Sequence, residues 1–210
     1  MKSDLPKVLQ PLAGKPLLSH VLDTAKRLSA QAIHVVYGHG GDRVREALAN
    51  EPVTWALQAE QLGTGHAVAQ ALPSIPDDHL VLILFGDVPL IKVETLEQLL
   101  ATVDDQSIGM LSVILRDPTG YGRVIRDHAG HVVRIVEHKD ANTKERTVPE
   151  GNTGVIAVPA KSLRKWLGLL RNDNTQGEYY LTDIVSMAVR EGDRVKAAIA
   201  PTEIEVFGVN

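Results

Sequence analysis

Leu80-Val81-Leu82-Ile83-Leu84-Phe85-Gly86-Asp87-Val88-Pro89-Leu90 is the stretch on which the fold turns. Its first part is apolar at every position, without the alternation of a half-exposed strand, so it predicts a central strand over 80–85 covered on both faces. Gly86 then leaves room for close approach, and Pro89 fixes a turn. Asp87 therefore stands at the C-terminal tip of a central strand, the place where open α/β sheets bind ligands. A lone carboxylate beside phosphates suits Mg²⁺, which takes few protein ligands. Aspartate is also a common cap of turns and helices, so the stretch by itself leaves ligation and capping both open.

Outward from this strand, short β-branched runs alternate with amphipathic stretches, the pattern of a mostly parallel α/β sheet. Further strands are predicted over 33–37, 53–57, 109–115 and 153–158, with a late one near 196–200. Helices are predicted over 17–28, 42–49, 66–72, 93–103, 162–170 and 182–190; in the first, Leu17, Val21, Leu22, Ala25 and Leu28 share one face. Between Gly122 and Val136 the rhythm changes to two alternating strands around His128-Ala129-Gly130, a β-hairpin inserted in the second half of the chain. Residues 1–16 read as a polar, proline-punctuated loop, with no apolar strand ahead of the first helix.

Composition excludes several classes. The chain has 210 residues, 44% of them hydrophobic and 23% charged, enough for one domain with a full core. A formal charge of -4 argues against a nucleic-acid binder. Without cysteine there is no disulfide, thiolate zinc site or cysteine nucleophile. No apolar run reaches membrane-span length and no signal peptide opens the chain, which predicts a cytoplasmic protein with no membrane partner. The eight histidines lack metal-ligand spacing.

Several other segments carry candidate chemistry. Leu57-Gln58-Ala59-Glu60-Gln61-Leu62-Gly63-Thr64-Gly65-His66-Ala67 lies between a strand and a helix, and its glycines permit backbone approach to a ligand. It is neither a dinucleotide fingerprint nor a P-loop. Gln58 offers the donor and acceptor needed to read a base edge, although an ordinary helix start with a threonine cap explains the segment equally well. Asp117-Pro118-Thr119-Gly120-Tyr121-Gly122-Arg123, Val136-Glu137-His138-Lys139-Asp140, Asn152-Thr153-Gly154 and Gly177-Glu178-Tyr179-Tyr180-Leu181-Thr182-Asp183 supply partners for sugar hydroxyls and an acetamido group. Taken singly, each also reads as turn or surface chemistry.

In this order, the segments resemble the uridylyltransferase domain of bacterial bifunctional N-acetylglucosamine-1-phosphate uridylyltransferases, from Asp4-Leu5-Pro6-Lys7-Val8-Leu9 to Gly208-Val209-Asn210. The resemblance implies a Rossmann-like nucleotidyltransferase fold, one domain over 1–210 with its sugar-binding half roughly at 109–200. It implies Mg²⁺-dependent transfer from UTP to N-acetylglucosamine-1-phosphate, giving UDP-N-acetylglucosamine and pyrophosphate for peptidoglycan and lipopolysaccharide precursors. Residue by residue, Asp87 and Asn210 resemble the metal ligands, and Lys7 the lysine that stabilises phosphate charge. Gln58, Gly63 and Thr64 resemble the uracil-reading set, with Phe85, Gly86 and Asp87 on the ribose and phosphate side. Gly122, Glu137, Asn152, Tyr180 and Thr182 resemble the residues that grip the sugar.

There are departures. The family signature Leu-x-x-Gly-x-Gly-Thr-Arg-Met would end at Met1, so the expectation is a chain without its first strand and phosphate loop, destabilised and nearly inactive as it stands. The left-handed β-helix acetyltransferase domain that makes the parent enzymes homotrimers is likewise outside it. Phe85 replaces a common tyrosine, Gly151 a common apolar residue, and Phe207 is unusual near the last motif. Two other readings stay open: a module that binds sugar phosphate without transfer, and a transferase for another nucleotide–sugar pair.

Overall fold

The computed structural model describes residues 5–38, 40–104 and 106–209. A 3₁₀ turn at Lys7–Leu9 leads into a small antiparallel hairpin, β1 (Pro11–Leu12) and β2 (Lys15–Pro16), so the opening stretch is more than the expected loop. Then follow α1 (Leu17–Arg27), β3 (His34–Tyr37), α2 (Asp42–Ala47), β4 (Thr54–Leu57), α3 (Thr64–Ala71), β5 (Leu80–Ile83) and α4 (Val93–Leu100). The second half runs β6 (Ser107–Ile114), β7 (Arg123–Arg126), β8 (Val132–Val136), β9 (Glu150–Pro159), α5 (Ala160–Leu167), α6 (Asp183–Glu191), β10 (Arg194–Ile199) and α7 (Glu203–Val206). The hairpin stands as read: β7 and β8 pair antiparallel, Gly130 takes φ +87, and the Asp127 carboxylate accepts the N–H groups of Ala129 and His131.

The α/β fold is present, and its sheet is mixed. β10 lies parallel to β6, and β3 parallel to β4, while β9 runs antiparallel to β5, β6 and β7. Alternation along β6 and β9 sends side chains to two cores. Ile108, Met110, Ile156 and Val158 meet Leu163, Trp166, Ile184 and Val185 on one face. Leu111, Val113, Val155 and Ala157 meet Leu96, Leu99 and Val206 on the other. A third cluster joins Leu9, Leu18, Leu22, Val35, Val44 and Leu48.

β3–β4 and the six-stranded sheet are not hydrogen-bonded to each other. A cavity of about 1220 Å³ separates them, lined by consecutive residues along both β3 and β5. Successive strand side chains point to opposite faces, so a wall of consecutive residues means the cavity follows the strand edges. The apolar stripes of α1 (Leu18, Val21, Leu22, Ala25) and α3 (Ala67, Val68, Ala71) cover it on either side. This edge explains a departure from expectation: β5 is only half-buried, with Leu80 exposed, because its sole strand partner among the described residues is β9.

Candidate functional site

At the tip of β5, Asp87 meets Lys7 from the opening 3₁₀ turn, with Lys7 Nζ 2.6 Å from Asp87 Oδ2. Gly86 eases the close packing here: a Cβ there would lie 3.2 Å from Leu18 of α1 and 3.4 Å from Val8, the residue after the lysine. The C-terminal segment closes on the same spot. Val209 N donates to Asp87 O at 2.9 Å, and a Cβ on Gly208 would touch the Asp87 carboxylate. Two buried or half-buried carboxylates of α7 hold that segment in place: Glu205 accepts from Lys92 N and Glu203 from Arg116 N. Asn210, the second expected metal ligand, lies outside the described residues.

Asp87 keeps part of its surface open and already accommodates one cation, the Lys7 ammonium, on an outer oxygen. Among the described residues no cluster of three or more His, Asp or Glu could hold a metal. That donor set fits a Mg²⁺ held by one carboxylate, waters and substrate phosphates, and does not fit an all-protein cage. Beside Asp87, a smaller cavity of about 310 Å³ is lined by Phe85, Tyr121, Thr153 and Gly208. The Phe85 ring packs closely against Gly154, whose φ of +83 and missing side chain admit it.

The loop expected to face the base is internally braced. Buried Gln58 donates from Nε2 to Gly63 O at 3.1 Å and meets His66 Nδ1 at 3.1 Å. With the amide nitrogen committed there, the side-chain carbonyl oxygen is the group left for a ligand, an acceptor. His66 was not among the expected site residues; its place eight positions after Gln58, in the first turn of the helix that the loop opens, was the available signal. Thr64 is not the helix cap that one reading of the segment expected. It is the first residue of α3, caps nothing, and its hydroxyl accepts from Leu181 N at 3.0 Å.

The residues expected on the sugar side converge although they come from four segments. Asn152 N donates to Gly122 O at 2.8 Å, a Cβ on Gly122 would sit 3.4 Å from both Glu137 oxygens, and Thr182 Oγ1 donates to Glu137 Oε1 at 3.0 Å. Tyr180 is buried, and its hydroxyl accepts from Gln176 at 2.9 Å. Burial pushes the Glu137 carboxyl up from its ordinary range, and the nearby Asp183, Asp140 and Glu178 add to that despite the Thr182 bond. Glu137 is thus part of a packed polar wall, unlike the solvated loop that its charged neighbours suggested. Arg123, also unanticipated, is buried under this wall and donates to the backbone carbonyl of Tyr121.

A carboxylate and a lysine thus meet at a strand tip, flanked by a braced loop and a polar pocket. Residues 1–148 match the MobA-like NTP transferase domain, and the chain belongs to that family. Over 210 residues it is 59% identical to the Bifunctional protein GlmU of Azoarcus sp. (strain BH72) and 57% identical to that of Pseudomonas aeruginosa (strain LESB58). All of this chain is covered in both comparisons, and it spans 46% of each relative's length. Among solved structures it shares its fold with a UDP-glucose pyrophosphorylase complexed with UDP-glucose, at TM-score 0.74 and 16% identity over 93% of this chain and 82% of that one. HddC from Yersinia pseudotuberculosis, complexed with GMP-PN, matches at TM-score 0.67 and 19% identity over 95% of this chain and 83% of its own. No helix among the described residues is long and apolar enough to cross a membrane.

Proposed function

We propose that this domain transfers a uridylyl group from UTP to N-acetylglucosamine-1-phosphate, releasing pyrophosphate, as a step in cell-envelope precursor supply. The observation that carries the reading is the contiguity of the two residue sets. Gln58, Gly63 and Thr64 are hydrogen-bonded as far as Leu181, its neighbour Thr182 is bonded to Glu137, and Glu137 packs against Gly122, whose carbonyl accepts from Asn152, so one ligand with a base at one end and a sugar at the other matches the wall. The Gln58 carbonyl, as a lone acceptor, suits the N3–H of uracil, whereas cytosine presents an acceptor at that position. The Asn152 amide nitrogen and the Glu137 carboxylate suit an acetamido group and sugar hydroxyls.

In the reaction a phosphate oxygen of the sugar phosphate forms a bond to the α-phosphorus of UTP, and the bond from that phosphorus to the β-phosphate oxygen breaks. The nucleophile is already an anion, so no side-chain base is needed. Lys7, on the phosphate side, offsets charge that builds on the non-bridging oxygens. Asp87, with Asn210 as the expected second ligand, would hold Mg²⁺, which supplies charge neutralisation and alignment of the phosphates. Phe85 and Gly86 line the ribose side.

A second reading, sugar-phosphate binding without transfer, draws on the 1220 Å³ cavity that leaves the phosphate side open between β3 and β5. Pyrophosphate release with Mg²⁺, N-acetylglucosamine-1-phosphate and each of UTP, dTTP, CTP and GTP separates the readings. Turnover with UTP well above the others supports uridylyl transfer. Equal turnover with GTP or dTTP overturns the base assignment, and sugar-phosphate binding without any turnover selects the second reading.

A further inference from the structure

The Thr64 hydroxyl is turned away from the helix it begins. Between α5 and α6 the chain carries no helix or strand from residue 168 to 182, and this irregular stretch supplies Tyr180 and Thr182 to the sugar side. A short seam fastens it to the base-side loop. Tyr179 N donates to Leu62 O at 2.8 Å, Gly65 N donates to Tyr179 O at 2.8 Å, and Leu181 N donates to Thr64 Oγ1 at 3.0 Å. Gly63, at φ +106, permits the approach; a Cβ there would lie 2.8 Å from Tyr179 O. Of these bonds, only the Thr64 one uses a side chain.

On either side the bonds run on to the residues that would read the ligands. Gln58 holds Gly63 O at one end, and Thr182 holds Glu137 at the other. We infer that Thr64 is a positioning residue that couples the two halves of the site, so that filling the base side strengthens binding at the sugar side, and the reverse. The inference rests on the proposed uridylyltransferase reading. An irregular segment must be ordered to present Tyr180 and Thr182, and that ordering opposes binding. A nucleotide that fixes Gly63 and Thr64 fixes the far side of the seam at the same time, so the sugar phosphate meets a segment already in place. Linkage makes the effect reciprocal.

The test is calorimetric titration of N-acetylglucosamine-1-phosphate, with and without saturating Mg²⁺ and a UTP analogue whose α–β bridging oxygen is a methylene group so that no transfer follows, into the wild-type chain, Thr64→Val and Thr64→Ser. Valine keeps the shape and removes the acceptor; serine keeps the acceptor. Repulsion between the two anions is common to all three proteins, so the ratio of affinities with and without the analogue isolates the coupling. The expected result is a ratio at least about fivefold higher in the wild type and Thr64→Ser than in Thr64→Val. If Thr64→Val weakens both ligands but keeps the wild-type ratio, the hydroxyl is merely structural and the inference is overturned. If neither ligand binds the wild type, the uridylyltransferase reading falls and takes the inference with it. Binding of both ligands with no dependence on residue 64 removes the inference alone.

Discussion

Gly63→Ala probes the join between the two halves of the site most sharply. At φ +106 and ψ 176 the backbone occupies a region that side chains avoid, at a cost of about 1–3 kcal/mol. The new methyl would also meet backbone atoms, Tyr179 O at 2.8 Å and Tyr179 N at 2.9 Å, which cannot swing aside as a flexible side chain would. Relief requires the 168–182 segment to move away, which breaks the Tyr179–Leu62 and Gly65–Tyr179 bonds at about 0.5–1.5 kcal/mol each. The combined penalty is about 2–6 kcal/mol, and for a chain of this size each kcal/mol lowers the melting temperature by about 2–4 °C. Thermal unfolding should therefore drop by at least about 4 °C if the strain is felt globally. If the seam opens locally instead, the melt moves less and affinity for both ligands falls. A melting temperature within about 2 °C of wild type, together with unchanged UTP and sugar-phosphate affinities, would refute this reasoning.

Other consequences follow from single side chains. Asp87→Ala should reduce pyrophosphate release by about 10²–10³-fold, the scale of a lost charge-stabilising group, and leave sugar-phosphate affinity nearly intact; near-normal turnover would remove Asp87 from the phosphate side. Burial raises the Glu137 pKa above its ordinary 4.5, so its contribution to stability is fully present below that value and is lost as pH rises through the folded-state pKa. Glu137→Gln, which keeps an acceptor for Thr182, should accordingly gain melting temperature relative to wild type at pH 7.5 but not at pH 4, while weakening the sugar phosphate. Arg126 pairs with Glu150 at 2.7 Å, and Ser112 donates to the same carboxylate, bonds that hold the Glu150 pKa down against the opposing effect of burial. Arg126→Met leaves that carboxylate short of its charge partner and should destabilise the chain by about 2–4 kcal/mol in urea unfolding, less than a fully buried pair because the arginine is partly exposed. That loss should shrink in acid, as Glu150 is protonated.

The fold was readable where a local pattern decides the element. The run at 80–85, the helical stripe of α1 and the alternation around Gly130 each place an element within a few residues. The direction of β9 was not readable, because alternation over 153–158 is the same whether its neighbours run parallel or antiparallel. Nor could the run at 80–85 reveal that one edge of β5 borders a cavity, since apolar content reports burial of faces and says nothing about edges. The candidate site was readable only as separate motifs, of which the structure brings Glu137, Asn152 and Thr182 together around Gly122. What joins them was hidden. Thr64 and Leu181 lie 117 positions apart, and the bonds beside theirs are backbone to backbone, which leaves no residue-type signature. Arg123 was hidden for a related reason: in a hairpin that alternates, an arginine reads as outward-facing, yet it is buried because backbone carbonyls of neighbouring loops receive its guanidinium.

A single continuous wall that reads base and sugar together is tested most directly by titrating UDP-N-acetylglucosamine and UMP into the wild type, Gln58→Leu and Asn152→Ala. Each substitution should weaken the sugar nucleotide by about tenfold or more, the scale of one lost bond to a buried polar group, while Asn152→Ala should leave UMP within about twofold of wild type. Equal losses for UMP and the sugar nucleotide in Asn152→Ala, or no loss of the sugar nucleotide in either variant, would contradict the division of the wall into a base side and a sugar side.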